Sequence, residues 1–97
     1  MDYYTKIECD KIENLINKKT TEKEELERDL LQEEIWLNVY KTSGNKDYER
    51  IQNCENKIKE LNKKISQLDS EINDLIRRKN ELENDWLFYN LQKEVLD

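Results

Sequence analysis

Cys9 and Cys54 are the only thiols in the chain, and there is no histidine. A reactive thiolate needs a neighbouring base, and tetrahedral zinc needs four closely placed ligands. Two cysteines this far apart in sequence supply neither, because a helix advances only ~1.5 Å per residue and their separation along one is tens of ångströms. Carboxylates are plentiful, yet the neighbours Glu33 and Glu34 point to different sides of a helix and cannot close on one substrate. With a single glycine, Gly44, no phosphate-cradling loop can be built. The chain is therefore expected to be non-catalytic, with no cofactor and no metal.

Charge offers recognition chemistry instead. The 17 basic and 23 acidic side chains give a net charge of -6, which disfavours direct contact with nucleic acid. The basic clusters Lys57, Lys59, Lys63, Lys64 and Arg77-Arg78-Lys79 are interleaved with Glu60, Asp69, Glu71 and Asp74 and carry no stacking aromatic, so they read as solvated helix flanks. The acidic run Glu22, Glu24, Glu25, Glu27, Asp29, Glu33, Glu34 can imitate spaced phosphates and occupy a basic cleft, with Glu24, Glu25 and Glu27 at its centre. Near the other end, Trp86, Leu87, Phe88, Tyr89, Leu91, Val95 and Leu96 cover more than one helix face. Such a cluster either packs against Tyr3, Tyr4 and Ile7 or docks a partner through Trp86, Phe88 and Leu91.

The elements that hold these residues are helices. The sequence has no proline and no alanine, and 41% of its residues are charged, which excludes folds built on many tight turns and leaves room for one narrow domain. Breakers gather only at Thr42-Ser43-Gly44-Asn45-Lys46. There Gly44 can take the left-handed conformation that ends a helix, and Asn45 or Asp47 can cap the next. Thr5 followed by Glu8 fits a capping box, which gives a first helix over about residues 5–41, a turn at 42–46 and a second helix over about 47–95. A second capping box at Thr21 and Glu24 allows a break near Thr20, and an uninterrupted single helix is the alternative to the turn.

From Ile51 the apolar positions step alternately by three and four: Ile51, Cys54, Ile58, Leu61, Ile65, Leu68, Ile72, Leu75, Lys79, Leu82, Trp86 and Tyr89. This heptad seam demands a partner helix. β-Branched residues at its first positions and leucine at its fourth favour two parallel strands. Flanking charges agree, since Arg50 with Glu55, Lys64 with Asp69 and Arg78 with Glu83 are opposite in sign in a parallel homodimer. Lys79 interrupts the seam and serves there to fix register, while two copies of Cys54 would face each other and could be joined by oxidation.

The first helix is expected to cover only part of this seam. Leu26, Leu30, Leu31, Ile35, Trp36, Leu37, Val39 and Tyr40 form a wide apolar face beside the turn, but residues 17–25 contain no aliphatic side chain to set against Ile65, Leu68 and Ile72. The expected fold is all-α: a helical hairpin whose long second helix forms a parallel two-stranded coiled coil with a second copy, with a four-helix layer near the turn. A monomeric antiparallel hairpin is the alternative. No stretch is apolar enough to span a bilayer, and Met1-Asp2-Tyr3-Tyr4 lacks the character of a secretory signal, so a cytoplasmic setting is expected, the host cytoplasm if the protein is viral. Two functions fit: a homodimeric adaptor or assembly scaffold that binds another protein, or an acidic helical inhibitor of phage anti-defence type that blocks a basic nucleic-acid-binding surface of an enzyme.

Overall fold

The computed structural model describes the backbone of residues 2–96 and the side chains of residues 2–92. It has two helices, α1 (Tyr3–Thr42, 40 residues) and α2 (Tyr48–Leu96, 49 residues), and no strand among the described residues. They form a helical hairpin. No helix is long and apolar enough to cross a membrane among the described residues.

α1 begins before Thr5 because Asp2 supplies the cap. Its Oδ1 accepts the Thr5 amide at 2.7 Å and its carbonyl accepts the Lys6 amide at 3.0 Å. The bond from the Thr5 amide favours the charged carboxylate and holds the Asp2 carboxyl below its ordinary value. α1 then continues through Thr20 without a break, so no helix starts at the Thr21–Glu24 box. The Thr20 hydroxyl instead donates to the Ile16 carbonyl at 2.7 Å, the i−4 bond by which threonine is accommodated inside a helix.

At the reversal over residues 43–47 the expected cap at Asp47 is found, whereas the expected left-handed glycine is not. Gly44 does not adopt a positive φ, and a Cβ placed on it would meet nothing within 4 Å. At the last turn of α1 the Thr42 hydroxyl donates to the Asn38 carbonyl at 2.8 Å and to the Val39 carbonyl, one of the last four that lack an amide partner in the helix, at 3.3 Å. Asp47 then starts α2, accepting the Arg50 amide on Oδ1 at 3.2 Å and the Ile51 amide on its carbonyl at 3.1 Å. Side-chain caps, not a left-handed glycine, make the turn.

Two compact units divide the chain: one comprises Thr21–Asp69, and the other Met1–Thr20 with Ser70–Asp97. In the unit that holds the turn, the helices are antiparallel and are tied by Lys41 to Glu55 at 3.4 Å, Lys57 to Glu33 at 3.3 Å, and Lys23 to Asp69. Half-buried Leu26, Leu30, Leu37 and Tyr40 of α1 share its seam with Ile51, Cys54, Ile58, Leu61, Ile65 and Leu68 of α2. In the other unit the antiparallel pairing is fixed by Lys19 to Glu71 at 2.8 Å and Lys79 to Glu13 at 3.8 Å. Its seam holds Cys9, Ile12 and Ile16 from α1 and Ile72, Leu75, Lys79, Leu82 and Trp86 from α2.

Ile65, Leu68 and Ile72 are half-buried, although residues 17–25 bring them no aliphatic side chain. Two lysines of α1 stand at the level of this stretch. Lys19 and Lys23 sit at inward positions of α1 with side chains only 29% and 28% exposed, and their ammonium groups reach Glu71 and Asp69. A lysine stem is four methylenes long, so it can lie along an apolar surface while its charge stays at the edge. The inward residues of α1 are then Thr5, Cys9, Ile12, Ile16, Lys19, Lys23, Leu26, Leu30, Glu33, Leu37 and Tyr40, a second heptad stripe in mixed chemistry.

Candidate interaction surfaces

The α2 positions assigned to a seam with a second copy are the inward positions of the hairpin. Ile51, Ile58, Leu61, Ile65, Leu68, Ile72, Leu75, Lys79, Leu82 and Trp86 are half-buried, Cys54 is 7% exposed, and Tyr89 alone of the twelve is exposed. Several of the charges that would select a parallel register are engaged within the chain. Glu55 pairs with Lys41 and Asp69 with Lys23, while Arg50 pairs with Asp47 at 3.4 Å and Lys64 with Glu60 at 3.3 Å. Lys79 lies between Glu13 of α1 and Glu83 of its own helix, 3.8 and 3.9 Å away.

Both thiols are buried and separate. At Cys54, burial is the main influence raising the thiol above its ordinary 9.0, and a hydrogen bond to the Glu33 carboxylate adds to it. Cys9 is likewise raised, first by burial and then by the Glu83 carboxylate, with Lys79 opposing. A thiol held protonated in this way is a poor nucleophile at neutral pH. Among the described residues no cluster of three acidic or cysteine side chains is placed to hold a metal ion.

Beside Cys54 runs a shallow groove lined by Glu33, Tyr40, Arg50, Asn53, Cys54 and Lys57. Tyr40 is held from two sides: the Trp36 ring lies 5.8 Å from the Tyr40 ring at 25°, and the Arg50 guanidinium sits 5.8 Å from the centre of that same tyrosine. Trp36 and Tyr40 are marked as a pair only by their four-residue spacing, which brings two side chains together on a helix.

The acidic run is exposed except for Glu33, which turns inward. Glu24, Glu25, Asp29 and Glu34 form no ion pair among the described residues, while Glu27 lies 3.6 Å from Lys23. The terminal cluster divides. Trp86 turns into the seam, whereas Leu87, Phe88, Tyr89 and Leu91 are exposed, Phe88 at 63% and Leu91 at 60%. Tyr3 and Tyr4 do not cover them, being themselves exposed and in edge contact with each other at 5.8 Å. The side chains of Val95 and Leu96 lie outside the described residues.

A further apolar set, not distinguished in the sequence from the rest of the face beside the turn, is Leu31, Ile35 and Val39. The helix divides that face in two. Leu26, Leu30, Leu37 and Tyr40 turn inward, and these three turn outward.

No family model matches the chain, and neither a curated protein nor a solved structure matches it.

Proposed function

We propose that the protein is a non-catalytic helical adaptor or assembly scaffold that pairs with a second copy of itself and binds another protein. The observation that carries this reading is how little a single hairpin covers: among the described residues only Cys9, Ile12 and Cys54 are buried. Every isoleucine and leucine of the α2 seam keeps part of its surface in water. A fully buried aliphatic side chain contributes about 1.5–3 kcal/mol, so closing that surface with more helices is a strong driving force. Two hairpins can bring their seams to one core, with the two α2 helices adjacent and parallel as their Ile and Leu positions favour. The exchange of ion pairs costs little. Arg50–Glu55 and Lys64–Asp69 between copies replace Lys41–Glu55, Lys23–Asp69, Arg50–Asp47 and Lys64–Glu60 within one, and each exposed pair is worth only about 0.2–1 kcal/mol, less than the apolar burial gained. Exposed Phe88 and Leu91, beside half-buried Trp86, then serve as the adaptor's partner site.

Sedimentation equilibrium at micromolar concentration should give a dimer, and a monomer would overturn self-pairing. Mild oxidation of that dimer should join Cys54 to Cys54. A dimer that never forms this bond, once its hairpins are loosened by mild denaturant, has the wrong orientation.

The acidic inhibitor is the second reading, favoured by the exposed carboxylates of Glu24, Glu25 and Glu34, which form no ion pair among the described residues. Charge mimicry of this kind should weaken steeply with salt and with lysine at positions 24, 25 and 27. Adaptor binding should depend instead on Trp86 and Phe88.

A further inference from the structure

Leu31, Ile35 and Val39 recur at four-residue steps, and each such step turns only about 40° around a helix, so the three form one stripe. The inward residues of the same stretch, Leu30, Glu33, Leu37 and Tyr40, lie on the other side of α1. Nothing in this unit covers the stripe: Leu31 is 59% exposed, Ile35 57% and Val39 46%. An α1 that is apolar on two opposite sides has one side to spare.

The surroundings of the stripe are acidic. Glu24 and Arg28 continue it toward the start of α1, and Glu25, Glu27 and Glu34 border it. Glu24, Glu25 and Glu34 have no ion-pair partner among the described residues, and Glu27 shares Lys23 with Asp69. Glu24, Glu27, Arg28 and Leu31 together line a shallow depression at the end of the stripe. A second copy of the chain is a poor occupant, since it would bring the same carboxylates against these and like charges across an interface oppose it.

We propose that this outward face of α1 docks an amphipathic helix of another protein, one whose apolar side covers Leu31, Ile35 and Val39 and whose lysines or arginines meet Glu24, Glu25, Glu27 and Glu34. The proposal rests on reading the chain as an interaction protein, but it uses a surface distinct from both the α2 seam and the terminal aromatics. Helix-in-groove recognition works through anchors at this spacing, with charged edges setting the choice of partner.

The test uses two labelled helical peptides with the same leucine stripe, one edged with lysine and one with glutamate, titrated into the full chain by fluorescence anisotropy. The lysine-edged peptide should bind at least about tenfold more tightly, and its affinity should fall with salt. A Leu31→Ser, Ile35→Ser double variant, checked for helicity by circular dichroism, should lose about tenfold or more in that affinity. Equal binding of the two peptides, or unchanged binding by the variant, overturns the proposal. Sedimentation of the same variant separates this face from self-pairing. If the substitutions turn a dimer into a monomer, the stripe is a self-association face and the docking proposal falls; if the dimer survives while peptide binding is lost, it stands. A monomeric wild type that still selects the lysine-edged peptide removes self-pairing and leaves the docking face in place.

Discussion

α1 and α2 present heptad stripes to each other, but they fill them with different chemistry. α2 uses isoleucine and leucine at eight of the eleven inward seam positions from Ile51 to Trp86. α1 uses threonine, cysteine, lysine, glutamate and tyrosine among its aliphatics, and keeps Leu31, Ile35 and Val39 on its outer side. The lesson is that a seam need be regular in only one of two helices. The other can contribute methylene stems and small side chains wherever its polar ends reach the edge, and its own best apolar residues are released for another purpose.

The largest test of this contrast is a paired truncation. Ile12, 5% exposed, is the most deeply buried aliphatic side chain among the described residues, although it stands in the more polar helix. Ile12→Ala should lower stability by ~2–4 kcal/mol, while Ile65→Ala, from the more apolar but half-buried seam, should cost about half as much in dilute solution where the chain is monomeric. Chemical denaturation of both variants measures this. The cost of Ile65→Ala should rise with protein concentration if copies pair through α2, and a concentration-independent ratio would break that link.

An intermediate effect comes from alkali. Both thiols are raised from an ordinary 9.0 by burial. Between the unfolded and the folded pKa the native chain holds a proton that the unfolded chain has lost, so this stabilisation is complete below about pH 9 and disappears as pH rises through the folded values. The midpoint of thermal unfolding should fall from pH 8 to pH 10.5, and a Cys9→Ala, Cys54→Ala variant should show a flatter dependence from a lower starting point. Lys23 adds to the same decline at higher pH. Its ammonium is raised above 10.5 chiefly by the hydrogen bond to Asp69, so its contribution is present below that value and is lost above it.

The smallest effect addresses the stem itself. Lys23→Met keeps the linear side chain and removes the charge, and should leave the unfolding midpoint nearly unchanged at moderate salt. Lys23→Ser removes both and should lower it clearly. Equal losses for the two would mean that the pairing with Asp69, not the stem, closes the seam there.

How much of this could be read beforehand follows from the same contrast. The seam from Ile51 to Trp86 was legible because its side chains are apolar at a strict three–four spacing. The matching stripe of α1 was not, because Lys19, Lys23 and Glu33 are polar by type and covered only by geometry. Continuing the spacing backwards from Leu30 and Leu26 regardless of polarity reaches Lys23, Lys19, Ile16, Ile12, Cys9 and Thr5, a signal present but hidden by residue type. The outward stripe was hidden for the opposite reason: Leu31, Ile35 and Val39 are apolar and adjacent to inward residues, so the two faces merged into one. The terminal cluster could be located, but only the structure separates inward Trp86 from outward Phe88 and Leu91.

The glycine in the reversal has a practical consequence. Since Gly44 takes no conformation reserved for glycine and its missing side chain leaves open space, the segment between the caps of Thr42 and Asp47 is under little steric demand. Extra residues inserted there lengthen a connection whose closure entropy grows only slowly with length. An epitope, a fluorophore or a whole fused domain could be grafted at that tip while both helices keep their own start and stop, which makes it the natural handle for immobilising the molecule.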